Sequence, residues 1–554
     1  MIIGQNNELS FNFAIASSLF QRLTKVRVIN ILVCSIIGCI LFCSPKAQAN
    51  PAQSLPATSV PGTIVVSKFE IIGNKVIPSA AIDRVIKPYL FRPISFIELL
   101  ELQRAITNLY VEQGYVTSGA FIPPQTIKDR TIKIKIIPGT VEEIKISGLK
   151  RLKSGYIRSR LAIATSPPLN QNKLLNALQL LQLDPLITNI SAELSKGINP
   201  GGSFLEVEIE EADTFSLGLS IDNQKSPNVG SVRRQVSISQ NNLVGWGDRF
   251  NASYVNTDGS NSLEDLSYVI PLNAHNGEIR LAHSRSNSQI ITESFAELDI
   301  ETKNRYYEAT YLQPLYQTPT RNVTAGVIFS RQNAENSLRN FPYPLSRGAD
   351  SEGKTNISAL RFFQEFSDRN YHQVFAARSE FSIGIDAFDA TINNNLPDSK
   401  FLVWRGQAQY LRLLNPNTSI FLRSNLQLAD RPLVPLEQFS SGGALSVRGY
   451  SQDSILGDNG LFISAELRHT VLRVPKWNLS LELSPFFDFG EVWNSDDVRL
   501  ETNTLSSLGV GLQLLVGDDL TARFDWGFPL TKVDSFGDSL QENGVHFSLE
   551  IKPF

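Results

Sequence analysis

Along the C-terminal part of the chain, apolar and polar side chains alternate with a period of two. Phe215, Leu217, Leu219 and Ile221 interleave with Thr214, Ser216, Gly218 and Ser220, which predicts a strand with one apolar and one polar face. The same period returns at Val236–Gln240, Phe250–Tyr254, Leu266–Leu272, Val323–Phe329, Leu422–Leu428, Leu508–Leu514 and Leu520–Phe528. Polar turns such as Asn256–Asn261 and Asn393–Lys400 lie between them. Residues 213–554 hold about sixteen such strands at roughly twenty-one residues per strand and loop, which suits ten-residue strands with uneven loops. The pattern predicts an antiparallel barrel with an outer face that meets lipid and an inner face that meets water.

Residues 64–212 show a different pattern, and it occurs twice. The first copy opens with a strand, Ile64–Ile72, a Gly73-Asn74 turn and a helical stretch from Pro78 to about Leu90. Ser95-Phe96-Ile97-Glu98 has capping-box spacing, and Leu99, Leu102, Ile106, Leu109 and Tyr110 follow at three- and four-residue steps up to Gly114. Strands Tyr115–Ile122 and Thr131–Ile137 close the copy. The second copy starts at Val141 with a strand to Ser147, then a helix around Tyr156–Ala164 and another from Asn170. Strands Ile187–Leu194 and Phe204–Glu210 end it, turning at Pro200-Gly201-Gly202. Each copy has about seventy residues, enough to fold as a small α+β unit.

The N-terminus carries targeting chemistry. Arg22, Lys25 and Arg27 precede an apolar run from Val28 to Cys43, and Ala47-Gln48-Ala49 follows. This is the order of a cleaved secretory signal, and the run is shorter than the ~20 residues of a helical span. Ile36–Cys39 loosely fits a lipoprotein site, but that would start the mature chain on Ile40-Leu41-Phe42 and leave the Ala-x-Ala site unused. Residues 1–49 are therefore assigned to the signal and 50–63, with Pro51, Pro56 and Pro61, to a linker. All three cysteines, Cys34, Cys39 and Cys43, fall inside the signal, so the mature chain is expected to lack thiols and disulfides. Removing the signal takes the net charge from −3 to −6; the basic excess of a nucleic-acid binder is missing. After Cys43 no run of eighteen apolar residues recurs, so a barrel is left as the way across a membrane.

Two short motifs near the end carry the most functional information. Val447-Arg448-Gly449-Tyr450 lies in a glycine-rich stretch, and Phe486-Phe487-Asp488-Phe489-Gly490 lies in the strand-like run Leu479–Trp493. Counted back from the terminus, the first falls between the eleventh and twelfth strands. Together with Ser464-Ala465-Glu466-Leu467-Arg468, Gly114-Tyr115-Val116-Thr117 and Ile122-Pro123-Pro124-Gln125, they resemble the haemolysin secretion/activation family (ShlB/FhaC/HecB) of two-partner secretion transporters. The tandem units at 64–139 and 140–212 resemble POTRA domains. One departure is Asp129-Arg130, which stands where such units usually turn on glycine. The terminal strand ends in Phe554, a residue similar to the insertion signal of outer-membrane barrels. Phe554 is one position out of phase with Phe547, Leu549 and Ile551.

The resemblance implies a mostly β protein: a 16-stranded antiparallel transmembrane β-barrel (213–554) preceded by two small α+β POTRA domains. It implies an outer-membrane location in a Gram-negative-type bacterium, with the POTRA domains in the periplasm. The implied partners are a secreted, TpsA-like exoprotein in extended form and outer-membrane lipid, acting on a monomer, with no nucleic acid. The implied transport motif is Val447, Arg448, Gly449 and Tyr450 with Phe486, Asp488 and Gly490. In it, Arg448 grips Asp488, and an arginine fork can hold a carboxylate through two charge-assisted hydrogen bonds. Alternation sets Asp488 on the face opposite Phe487 and Phe489, toward the lumen if those two meet lipid.

Partner binding is assigned to exposed sheet edges, where an extended peptide can add as a strand. Tyr115, Val116, Phe121 and Ile122 in the first unit, and Ile187 and Ile190 in the second, are the residues to test. Catalysis, cofactors and metals are not expected: the five histidines show no ligand spacing, and no P-loop, nucleophile elbow or zinc-protease motif occurs. Two alternatives remain open. One is a related insertase like BamA, and the other is a passive porin, which would not need the upstream units.

Overall fold

A computed structural model describes residues 62–395, 397–533 and 537–553. The signal, most of the linker and Phe554 lie outside these residues. The chain divides into two compact units between Ala212 and Asp213.

The N-terminal unit contains the repeated pattern. Its first half runs β1 (Ile64–Val65), β2 (Lys68–Ile72), α1 (Ser79–Ile86), β3 (Pro93–Ile94), α2 (Phe96–Glu112), β4 (Gly119–Phe121) and β5 (Thr131–Ile137). The second half runs β6 (Thr140–Ser147), α3 (Ser154–Ala164), α4 (Gln171–Gln182), β7 (Ile187–Lys196) and β8 (Gly202–Glu211). Both sheets have the same topology: β2 pairs parallel to β5 and β4 antiparallel to it, and β6, β8 and β7 repeat this arrangement. The capping box forms as expected, with the Ser95 hydroxyl accepting from Glu98 N and the Glu98 carboxylate accepting from Ser95 N. Asp129 and Arg130 adopt φ of 49° and 53°, so two L residues hold the left-handed turn usually given to glycine.

Two strand expectations in this unit need correction. The strand expected over Ile64–Ile72 is split, because the Val66 carbonyl accepts from Phe91 N while Ser67 N turns to Arg130 O. The chain thus changes partners from β3 to β5. The strand expected over Tyr115–Ile122 is only Gly119–Phe121. Gly114 N and Tyr115 N cap the end of α2 by donating to Val111 O and Tyr110 O, and Ser118 N closes a turn on Tyr115 O.

The C-terminal unit is a closed antiparallel barrel of sixteen strands: β9 (Phe215–Asp222), β10 (Arg233–Asn241), β11 (Arg249–Asn256), β12 (Ser260–Pro271), β13 (Glu278–Gln289), β14 (Ile300–Gln317), β15 (Arg321–Leu338), β17 (Lys354–Arg369), β18 (Gln373–Gly384), β19 (Leu402–Asn415), β20 (Thr418–Ala429), β23 (Asn459–Val474), β24 (Leu479–Trp493), β25 (Thr504–Val516), β26 (Leu520–Pro529) and β27 (Val545–Ile551). A two-residue strand, β16 (Phe341–Pro342), pairs antiparallel with the end of β15, and β21 (Phe439–Ser441) pairs with β22 (Ile455–Gly457) in the loop between β20 and β23. The strands run from seven to eighteen residues, longer at the extreme than the ten expected. Their exposed faces are apolar, as at Leu219, Ile238, Phe362, Leu422, Ile463, Phe487, Leu508, Phe524 and Trp526. Among the described residues no helix is long and apolar enough to cross a membrane.

Closure is made by the first and last strands, whose ladder runs from Leu219 opposite Ile551 to Asp222 opposite Ser548. Asn223, fully buried, continues the ladder with its side chain. Its Nδ2 donates to Val545 O at 2.9 Å and its Oδ1 accepts from Phe547 N at 2.9 Å.

Candidate functional site

The loop between the eleventh strand, β20, and the twelfth, β23, folds into the barrel. Val447, Arg448 and Tyr450 are all buried, and Arg448 is among the largest fully enclosed side chains of the molecule. Gly449 makes the turn beside it with φ of 97°, a conformation that an L side chain resists. It lies against the wall at Gly527, where a Cβ on Gly449 would meet backbone atoms at 3.1 Å.

Alternation builds the receiving wall. Asp488 on β24 is fully buried while Phe487 is exposed, and register sets Asp488 between Ser464 and Ser507. The small serines leave room above the carboxylate for the incoming guanidinium. Arg448 Nε donates to Asp488 Oδ2 at 2.7 Å and Nη2 to Oδ1 at 3.0 Å, while the Arg448 backbone N–H donates to Oδ2 at 3.1 Å. Its Nη1 reaches Glu466 at 2.8 Å and Asp525 at 3.3 Å. Phe486 covers the guanidinium from one face, with the ring centroid 3.4 Å from Cζ. Gly490 completes the fit, because a Cβ there would stand 2.8 Å from Val447 Cγ2.

Tyr450 anchors the far side of the tip. Its hydroxyl donates to Ser506 O at 2.8 Å or Thr531 O at 3.0 Å and accepts from Thr531 N at 2.9 Å. All seven motif residues are therefore gathered at one place inside the barrel. Beside the loop a cavity of about 1170 Å³ remains, lined by charged side chains including Asp222, Arg233, Glu264, Arg280 and Glu308.

The motifs did not reveal how far the ion cluster extends. Arg523 bridges Glu466 at 3.0 Å and Asp525 at 2.7 Å, Arg468 reaches Glu466 at 2.7 Å, and His546 Nε2 accepts from Gly449 N at 3.3 Å. The signal for two of these residues was present. Asp525 sits between Phe524 and Trp526 as Asp488 sits between Phe487 and Phe489, and Glu466 shares a strand face with Ser464 and Arg468.

The candidate partner-binding residues separate into two groups. The β4 and β7 strands are both sheet edges, and Phe121 is 42 % exposed. Val116 is half-buried, and Tyr115 and Ile122 pack on the first core. Ile187 and Ile190, however, are enclosed in the second core at 5 % and 4 % exposure. A bulge between Ile187 and Asn189 turns both side chains inward although they are three residues apart. Their side chains therefore do not face a partner, and what β7 offers is its backbone edge.

The sequence profile of the haemolysin secretion/activation protein family ShlB/FhaC/HecB matches residues 201–514, and that of the ShlB-type POTRA domain matches residues 64–139. The chain belongs to this haemolysin secretion/activation family. It is 23% identical to the heme/hemopexin transporter protein HuxB of Haemophilus influenzae strain 86-028NP, over 79% of this chain and 78% of that one. It is 22% identical to the outer membrane transporter CdiB of Escherichia coli O6:K15:H31, over 85% and 79% of the two chains. The solved structure of CdiB from Escherichia coli matches its fold with a TM-score of 0.71 at 18% identity, covering 100% of this chain and 99% of that one.

Proposed function

We propose that this chain is an outer-membrane two-partner secretion transporter. In this reading residues 1–49 direct it out of the cytoplasm and residues 64–139 and 140–212 form two periplasmic POTRA domains. Those domains receive a secreted partner protein in extended form, and the barrel, 213–554, passes it outward as a monomer embedded in lipid. The work is transport rather than catalysis, and its driving force comes from folding of the cargo outside the cell.

The observation that carries the reading is a loop drawn into the lumen and held there by the buried Arg448 fork on Asp488. With the N-terminal units periplasmic, an antiparallel barrel puts the connection between its eleventh and twelfth strands on the outer side, so the loop folds inward from outside. A charge pair is a suitable fastening for a part that must leave. It grips tightly while dry, and each partner regains water when the two separate. The edges of β4 and β7 give an extended polypeptide places to add as a strand.

The test is co-expression with candidate secreted exoproteins, followed by assay of the medium: cargo released only when this chain is present supports the reading, and no release of any candidate counts against it. Deleting residues 64–211 separates this reading from a passive porin. A transporter keeps a pore and loses cargo delivery, whereas a porin keeps its full function.

A further inference from the structure

The inward loop is held at a second place, by a charge of the opposite sign. Glu437 lies eleven residues before Arg448 and is 2 % exposed. Its carboxylate accepts from Arg361 Nη2 of β17 at 2.6 Å and from Arg405 Nη2 of β19 at 3.3 Å. Its backbone carbonyl accepts from the same Arg405 nitrogen at 3.2 Å and from Gln427 Nε2 of β20 at 3.0 Å. The wall at this point contributes Arg361, Arg378 and Arg405 against Glu365 and Glu380, so Glu437 supplies the third carboxylate.

The two sites lie on different stretches of wall. Arg448 is received by β23, β24 and β26, and Glu437 by β17, β19 and β20. The residues that hold one do not hold the other.

We infer that Glu437 is a second latch, independent of Arg448, which fastens the N-terminal limb of the loop to the β17–β19 wall. The loop is then a strap with a positive end and a negative end, and it leaves the lumen in two separable steps. This rests on the proposal that loop movement accompanies export. Release of this limb is resisted by the loss of these charge-assisted hydrogen bonds, and Glu437, Arg361 and Arg405 regain water once they separate.

The experiment reads movement of each limb directly. In the full-length protein, with Cys34, Cys39 and Cys43 replaced by alanine, a single reporter is introduced as Leu436→Cys beside Glu437 or Ala444→Cys near the tip. Cells are treated with a membrane-impermeant maleimide. Glu437→Gln is expected to raise labelling at 436 by roughly tenfold or more, the scale of losing one buried charge-assisted contact. Arg448→Gln raises labelling at 444 and leaves 436 at the parental level. Heat-modifiable migration confirms a folded barrel in each case, and Arg361→Gln is the second variant if Glu437→Gln does not fold. Parental labelling at 436 in a folded Glu437→Gln or Arg361→Gln barrel overturns the second latch. An equal rise at both reporters in either variant overturns its independence. Cargo in the medium is scored separately: normal export from a barrel with altered labelling counts against the gating role and leaves the latch standing.

Discussion

The two parts of this molecule both bury apolar side chains, but they differ in the charge they bury. In the N-terminal unit, the cores run through Ile94, Leu102, Ile106 and Ile134 in one half and Ile157, Leu161, Leu169 and Leu205 in the other. Among the described residues, every buried Asp, Glu, Lys and Arg lies beyond residue 213, Glu437, Arg448, Glu466 and Asp488 among them. The solvent on the outside explains this difference. A domain in water gains stability by removing apolar area from water. A barrel in lipid turns one face of its strands outward to the apolar solvent and must satisfy a more polar interior, which it does here with paired charges beside smaller apolar clusters. Apolar burial favours one fixed packing, whereas ion pairs can be exchanged for water. The N-terminal cores therefore act as scaffold, and the barrel interior can hold a removable part.

The contrast is tested most severely at Arg448. Arg448→Ala leaves Asp488, Glu466 and Asp525 short of a partner and is expected to cost about 3–5 kcal/mol at the loop contact. The barrel still inserts, because its backbone ladder is untouched, and export falls by about tenfold or more. Heat-modifiable migration and secreted cargo measure the two outcomes, and normal export with Arg448→Ala would sink the role of the Arg448 contact in transport. Ile106→Ala makes the opposite change, deleting apolar volume from the first N-terminal core. It is expected to destabilise that half by about 2–5 kcal/mol, seen as faster hydrogen exchange across α2 and β5 while the barrel's exchange is unchanged.

Smaller effects mark the borders of the comparison. Asn223→Ala removes the side-chain ladder that extends barrel closure and leaves Val545 O and Phe547 N without it. A cost of about 1–3 kcal/mol is expected, read as a lower temperature for loss of heat-modifiable migration. Ser95→Ala removes the cap of α2 and should cost about 1 kcal/mol, measured by chemical denaturation followed at the N-terminal unit. Hydrogen bonds from Ser95 N and Arg92 hold the Glu98 carboxyl below the usual carboxylate range. Its folded-state value is lowered, so the capping contribution is present above the ordinary glutamate pKa of about 4.3. It is lost as pH falls through the lowered value.

Periodicity made most of this architecture legible. Alternation placed the barrel strands and faced Asp488 inward, and the three- and four-residue steps after Ser95 located α2. The motif residues were legible through their family resemblance. Less visible was anything that depends on a neighbour far away in the chain. Ile187 and Ile190 looked like an available edge, and a bulge turned both into the core. Tyr115 looked like the start of a strand, and the end of α2 claimed its backbone. Glu437 carried no mark at all, because its meaning lies in Arg361 and Arg405 on other strands.

By itself, then, the sequence determined which face of each strand is apolar, where the helices begin and that two small units precede a barrel, while the pairing of Arg448 with Asp488 was implied only by the family resemblance. These follow from local periods and from motifs a few residues long. Tertiary structure decided which charges share a site, since Arg448, Glu466, Asp488 and Asp525 are neighbours only because four different parts of the chain are brought around one lumen. It also decided that the loop is fastened at both ends, because the charge that holds each end is set by strand register across the barrel and not by adjacency in sequence.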